Sequence, residues 1–181
     1  MIRIQGGSAR GRRLRGPSGY RFRPTTGRVK EFIFNTIGNE VKDARILDLF
    51  SGTGALGIEA LSRGADKIVF IERSAENLVL LKKNLKLCEF SKNARVFKGD
   101  VFAILGNIRQ KCGVFDFILA DPPFKALYRA RIIKGVQSHH LLKSDGLLII
   151  EHDFRDTDSG KHRMTLLKQR RFGHCVISIY N

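Results

Sequence analysis

Cysteine is scarce, and what there is lies scattered. Cys88, Cys112 and Cys175 are odd in number and never spaced as CxxC. That pattern argues against a disulfide scaffold and against a zinc site; no metal is expected. It suits a reducing compartment. Long apolar runs are missing too. The longest stretches without a charged residue are ten residues, Leu49 to Ile58 and Phe172 to Asn181. A membrane-spanning helix needs about 20 apolar residues, so none is expected. The first residues carry no apolar segment of the secretory kind, and a cytoplasmic location is the expectation. The third absence is local: residues 1 to 30 contain no acid at all.

What fills that stretch is cationic. It holds nine basic residues: Arg3, Arg10, Arg12, Arg13, Arg15, Arg21, Arg23, Arg28 and Lys30. The whole chain, 181 residues, has 33 Lys+Arg against 17 Asp+Glu, a net charge of +16. Such a balance points to a polyanionic partner, with nucleic acid ahead of a membrane surface. Arginine favours phosphate and bases, because its planar fork binds oxygens in pairs and stacks on rings. A solvated arm that merely aids solubility is the bland alternative. It is disfavoured because acids are absent rather than interspersed.

The length fits one domain of about 150 residues with a short appendage. We place a basic arm and helix at 1–40 and the main domain at 41–181. The arm ends at Arg23-Pro24-Thr25-Thr26, and apolar positions 29, 32, 33 and 36/37 then predict an amphipathic helix that Thr25 or Thr26 can cap. Strand patterns follow at 46–50, 67–72, 94–98, 114–120 and 146–151. They alternate with helical patterns at 55–63, 75–87, 101–109 and 129–142. Two closing strands are expected near 164–167 and 176–180. Alternation of this kind predicts a Rossmann-like α/β fold, with a seven-stranded, mostly parallel sheet and a C-terminal antiparallel hairpin. No dimer seam is evident, so a monomer is expected.

The turn after the first long strand, Asp48-Leu49-Phe50-Ser51-Gly52-Thr53-Gly54-Ala55-Leu56-Gly57, contains GxGxxG, and Glu72 follows Gly52 by twenty positions. Strand, glycine turn, helix and distant acid form a nucleoside-cofactor fingerprint. Asp48 narrows the choice. A carboxylate inside that strand repels a pyrophosphate but suits the ammonium of an amino acid. S-adenosylmethionine has that ammonium, a ribose diol and no phosphate. Asp48 could equally bond nearby amides. Asp100, before Val101, could accept the adenine amino group or cap the next helix.

The most specific feature is Asp121-Pro122-Pro123-Phe124, at the carboxyl end of the fourth strand of the alternating series. Ligands in open α/β sheets bind there. The prolines hold extended geometry and donate no N–H, leaving carbonyls to accept from a planar amino group. Asp121 and the Pro122 carbonyl can orient such a group towards a methyl donor, while Phe124 stacks on the base, a contact worth about 1–3 kcal/mol. A plain Asp-Pro turn with Phe124 in the core is the competing reading. The histidines form no ligand spacing.

These residues together resemble a class I S-adenosylmethionine-dependent methyltransferase. More narrowly, the chain resembles the bacterial enzymes that methylate N2 of a guanine in 16S rRNA of the small subunit. IRIQGGSARGRRL, FRPTTGRVKEFIFN, ILDLFSGTGALGIEALSRGA, FDFILADPPF and GLLIIEH carry the likeness in order. The resemblance implies that Asp48, Phe50, Ser51, Gly52 and Gly54 hold the methionine part, Glu72 the ribose, and Asp100 and Val101 the adenine. It implies that Asp121, Pro122, Pro123 and Phe124 receive the guanine. Arg3, Arg10, Arg12, Arg13, Arg15, Arg23, Thr25, Thr26 and Arg28 would grip 16S rRNA within the small subunit or a precursor. Gly27 departs from the acid usual at that place. Adenine-N6 methylation of DNA or another RNA, and a non-catalytic RNA-binding role, are the alternatives.

Overall fold

In the computed structural model, residues 2–17, 26–123, 128–156 and 162–181 are described. A seven-stranded sheet forms the centre. Its strands are β3 (Arg45–Leu49), β4 (Lys67–Glu72), β5 (Ala94–Lys98), β6 (Phe115–Ala120), β7 (Leu142–Asp153), β8 (Leu166–Phe172) and β9 (Cys175–Tyr180). Their spatial order is β5-β4-β3-β6-β7-β9-β8. The first five pair in parallel, and β9 pairs antiparallel with both β7 and β8. Chain order reverses between β4 and β6 on either side of β3, so a crevice opens at the carboxyl end of β3.

Apolar runs such as Ile68-Val69-Phe70-Ile71 and Leu148-Ile149-Ile150 are buried on both faces, as crossover helices require. One core lies under α1 (Gly27–Ile37), α2 (Ala55–Ser62) and α3 (Ala75–Leu87), around Phe34, Ile58, Phe70 and Leu81. The other lies under α4 (Val101–Cys112) and α5 (Tyr128–Ser138), around Leu105, Ile118, Ile133 and Tyr180.

The described part of the basic arm is folded onto the first core. It forms a short antiparallel hairpin, β1 (Ile2–Arg3) with β2 (Arg13–Leu14). Ile2, Ile4, Ala9 and Leu14 are buried in that core. The hairpin's polar joints are with α2 and α3. Ser8 N–H donates to the Ser62 carbonyl (2.7 Å), Ala9 N–H to the Ser62 hydroxyl (2.9 Å), and Asn84 both accepts from Arg15 N–H (2.8 Å) and donates to its carbonyl (2.9 Å). Gly7 is fixed by contact: at φ +76°, a Cβ there would lie 1.6 Å from the Ser62 carbonyl oxygen.

The helix expected over 101–109 runs on to Cys112, and three further boundaries shift by more than two residues. The helix expected over 129–142 ends at Ser138, and β7 starts at Leu142 rather than 146. His140 takes a left-handed φ of 47°, and the pairing of β6 with β7 slips between Phe115 and Phe117; the apolar residues after the turn therefore join the sheet. The strand expected at 164–167 runs instead from Leu166 to Phe172. Its Lys168-Gln169-Arg170-Arg171 segment is exposed and lacks an apolar alternation to reveal it. Thr26 is the N-cap of α1, but its side chain makes no cap hydrogen bond; Thr25 lies outside the described residues.

Candidate active site

Burial begins at Asp48. It sits on β3 with 2 % exposure, and its Oδ2 accepts the Gly57 N–H at 3.0 Å. Gly57 is required by this approach: a Cβ there would lie 2.3 Å from the Phe70 ring and 2.9 Å from that oxygen. Burial pushes the Asp48 carboxyl up to about 8; the Gly57 amide opposes this, and the negative charge of Glu72 adds to it. A cation arriving beside it reverses the balance and favours the ionised form.

The glycine turn is tied to β4 on one side and to α3 on the other. Ser51 N–H donates to the Ile71 carbonyl (3.0 Å), while the Ser51 hydroxyl donates to the Asp48 carbonyl (2.7 Å) and accepts from Ile71 N–H (3.0 Å). Glu72 holds the turn from the next strand, accepting Gly52 N–H at 2.8 Å and Ser74 N–H at 2.6 Å. A carboxylate keeps further lone pairs for hydroxyl donors. Phe50 occupies a left-handed φ of 60°, a strained state for a bulky residue and one that clusters at functional sites.

One cavity of about 560 Å³ collects most of the expected site residues. Asp48, Phe50, Ser51, Gly52, Glu72, Asp100, Val101, Asp121, Pro122 and Pro123 all line it. The volume lies within the range of small-molecule sites. Gly54 is the exception. It is the N-cap of α2 at φ +83°, where a Cβ would meet Leu81 at 2.3 Å, and it is not among the described residues that line the cavity. Asp100 caps α4, with Oδ1 accepting Phe102 N–H at 3.0 Å. Phe124 lies outside the described residues.

The lining also contains residues that sequence reasoning passed over, among them Thr53, Arg73, Tyr128 and Glu151. Thr53 is 2 % exposed, and its hydroxyl has no partner among the described residues. Glu151 follows Ile150, which pairs with Ala120 just before Asp121. The two carboxylates therefore sit at the same level on neighbouring parallel strands. The sequence places Glu151 at a strand end, but only the sheet register puts it beside Asp121. The rings of Phe50, Phe102 and Tyr128 meet at 5.6 to 5.9 Å between centroids, and the first and last of them line the cavity.

The donor set fits a cationic ligand. Among the described residues, Asp48, Glu72, Asp100, Asp121 and Glu151 line the cavity, with Arg73 as the one Lys or Arg. That charge is hostile to a pyrophosphate. It suits S-adenosylmethionine: Asp48 beneath the glycine turn for the ammonium, Glu72 for ribose hydroxyls, and the Asp121 corner beyond. Among the described residues, no group of three or more His, Cys, Asp or Glu is placed to hold a metal.

Of the arginines expected to grip RNA, Arg3, Arg10, Arg12, Arg13, Arg15 and Arg28 are exposed. Arg12 is partly engaged within the protein, donating to the Leu87 carbonyl and pairing with Glu89 at 3.4 Å. Arg23 lies outside the described residues. Beneath the arm, buried Glu59 accepts from Gln5 N–H (2.9 Å), Gly6 N–H (2.9 Å), Lys30 Nζ (3.1 Å) and Arg63 Nε (3.0 Å). No described helix is long and apolar enough to cross a membrane.

A family model described as Conserved hypothetical protein 95 matches residues 2–181. The ribosomal RNA small subunit methyltransferase D of Escherichia coli K12 is 37 % identical over 153 residues, 84 % of this chain and 75 % of that protein. Its Haemophilus influenzae counterpart is 33 % identical over 180 residues, 99 % of this chain and 93 % of that protein. A solved Escherichia coli structure assigned as a methyltransferase superimposes with a TM-score of 0.87 at 33 % identity, covering 99 % of this chain and 96 % of that one.

Proposed function

We propose that this chain, which belongs to the Conserved hypothetical protein 95 family together with the small-subunit rRNA methyltransferases D, transfers a methyl group from S-adenosylmethionine to N2 of a guanine in 16S rRNA. The observation that carries this reading is the shared cavity: Asp48, Glu72, Asp100 and the Asp121-Pro122-Pro123 corner face one space. S-adenosylmethionine supplies a methyl already activated by its sulfonium, so the protein's part is orientation and electrostatics. Asp48 binds the ammonium and Glu72 the ribose diol. Asp121 and the Pro122 carbonyl accept the two hydrogens of the exocyclic amine, which turns the nitrogen lone pair towards the methyl carbon. Asp121 is also the acceptor for the proton that nitrogen loses once methylated. Residues 1–40 serve to grip RNA, and 41–181 carry the chemistry.

Guanine is favoured over adenine by the pair Asp121 and Glu151. Guanine presents two adjacent donors, N1–H and the N2 amine. Adenine presents its N6 amine beside N1, an acceptor, which a second carboxylate repels. The target base leaves its stack to enter the cavity, as base-modifying enzymes require.

Labelled methyl transfer into 16S rRNA, 30S particles and DNA tests the substrate, and mass spectrometry of the modified nucleotide tests the position. Label in N2-methylguanine of 16S rRNA is expected. Label in DNA alone, or in N6-methyladenine, overturns the reading. Asp121→Ala is expected to cut turnover at least about a hundredfold, the scale of losing one preorganised transition-state contact, while S-adenosylhomocysteine binds within about threefold of normal. An active variant removes Asp121 from its assigned role.

A further inference from the structure

The N-terminal stretch is not the only part of the chain without acids. From residue 159 to the end there is no Asp or Glu, but there are Lys161, Arg163, Lys168, Arg170 and Arg171. The fold brings the two acid-free ends together. Lys168 Nζ lies 5.2 Å and Arg170 Cζ 5.4 Å from the centroid of the Phe32 ring of α1, and Phe172 packs on the same ring at 5.5 Å. Arg171 lies 4.2 Å over Phe154, with its Nε donating to the Gly173 carbonyl at 2.7 Å. These contacts place the charged heads of the three residues over aromatic rings, and the residues remain exposed. Among the described residues none of the three forms an ion pair. A groove beside them is lined by Thr26, Arg28, Phe172 and Gly173, with Glu31 as the one acid in its lining.

Register ties this strand to the candidate active site. Arg170 pairs with Ile177, which pairs with Glu151 of the cavity. Two strand spacings separate them, about 10 Å between backbones. Cations stacked on aromatic rings, along an exposed strand at the level of the target-base cavity, match a nucleic-acid backbone leaving that cavity.

We propose that β8 and the N-terminus of α1 form a second RNA-binding wall, on which Lys168, Arg170 and Arg171 hold phosphates of the strand that delivers the target base. This rests on the RNA-methylating reading above. Backbone contacts of this kind set register and orientation rather than sequence preference. They also make affinity salt-dependent, by about 0.7 in the logarithmic slope per phosphate on single strands.

The test compares the full chain with Lys168→Gln/Arg170→Gln/Arg171→Gln on a 16S rRNA transcript across a salt series. The expected result is at least tenfold weaker binding near 0.1 M salt and a salt slope reduced by about 2, with S-adenosylhomocysteine affinity unchanged. The double variant Arg170→Lys/Arg171→Lys, which keeps the charge, is expected to retain the slope. An unchanged slope in the triple variant, while charge loss at Arg10 and Arg13 still weakens binding, overturns the β8 wall and leaves the RNA reading standing. An unmodified protein that binds no RNA overturns both. A change from dimer to monomer on substitution, without change in RNA affinity, assigns the strand to self-association instead.

Discussion

Among the described residues, five carboxylates and one arginine line the cavity, whereas the first 30 residues of the chain hold nine cations and no acid. The cavity and the arm are thus oppositely charged regions of one small molecule. A protein with a net charge of +16 draws polyanions to its surface, but an acidic interior excludes phosphate from the place where a cationic donor must sit. Under the proposed function, that contrast sorts the two substrates: the phosphate backbone stays outside, while a neutral base and a positively charged cofactor enter. Glu59 joins the two regions, since it holds the arm's backbone and α1 through Lys30 without facing the cavity.

Breaking the joint is expected to have the largest effect. Glu59→Ala removes the counter-ion of Lys30, whose side chain is 3 % exposed and keeps only the Arg3 carbonyl as partner among the described residues, and costs about 3 kcal/mol, read by denaturant unfolding. Unchanged stability dissolves the idea of a charged hinge between arm and body. Removing charge from the arm comes next. Arg10→Gln/Arg13→Gln is expected to weaken rRNA binding about tenfold near 0.1 M salt and to lower the salt slope by about 1.4, with cofactor affinity untouched. An equal loss in cofactor affinity denies that the two regions are separable.

The cavity offers a pH-dependent contrast. Because the Asp48 carboxyl is raised to about 8, it is mostly neutral near pH 7 and must ionise to meet a cation. S-adenosylmethionine affinity is therefore expected to rise several-fold from pH 6 to 8, with proton release visible in calorimetry across buffers of different ionisation enthalpy. Asp48→Asn should abolish both. The stability of the ligand-free protein has the opposite sign. Its folded state retains a proton that the unfolded chain gives up near 3.8, so this group's contribution is greatest below that pH and is lost as pH rises to about 8. Asp48→Asn should flatten that decline in thermal unfolding. Smallest is Ser51→Ala, which unpins the glycine turn from β4 and is expected to cost about 1 kcal/mol.

Much of this was legible along the chain because the signals are periodic or local. Alternating apolar strands and helices specify the five parallel strands; the inner ones are covered on both faces, while the edge strand β5 is only half-buried. The glycine turn and the Asp121-Pro122-Pro123 corner are contiguous, so local sequence places them at strand ends. The full extent of β8 was not legible, because beyond the expected 164–167 its exposed cations carry no apolar alternation, and the helix end at Ser138 was not, because the apolar pattern runs on to Leu142. Gly54 reads as part of a ligand loop, and the structure adds a packing reason for a glycine there, since a Cβ would meet Leu81 at 2.3 Å.

The sequence by itself determined the fold class, the charge of the arm and the residue types of the candidate site, because these follow from short-range pattern and composition. Only the tertiary structure decided that Glu151 stands beside Asp121, that Glu59 fastens the arm, and that the two acid-free ends line one groove. Such neighbours are set by strand register and helix packing between residues far apart in the chain, which no local pattern encodes.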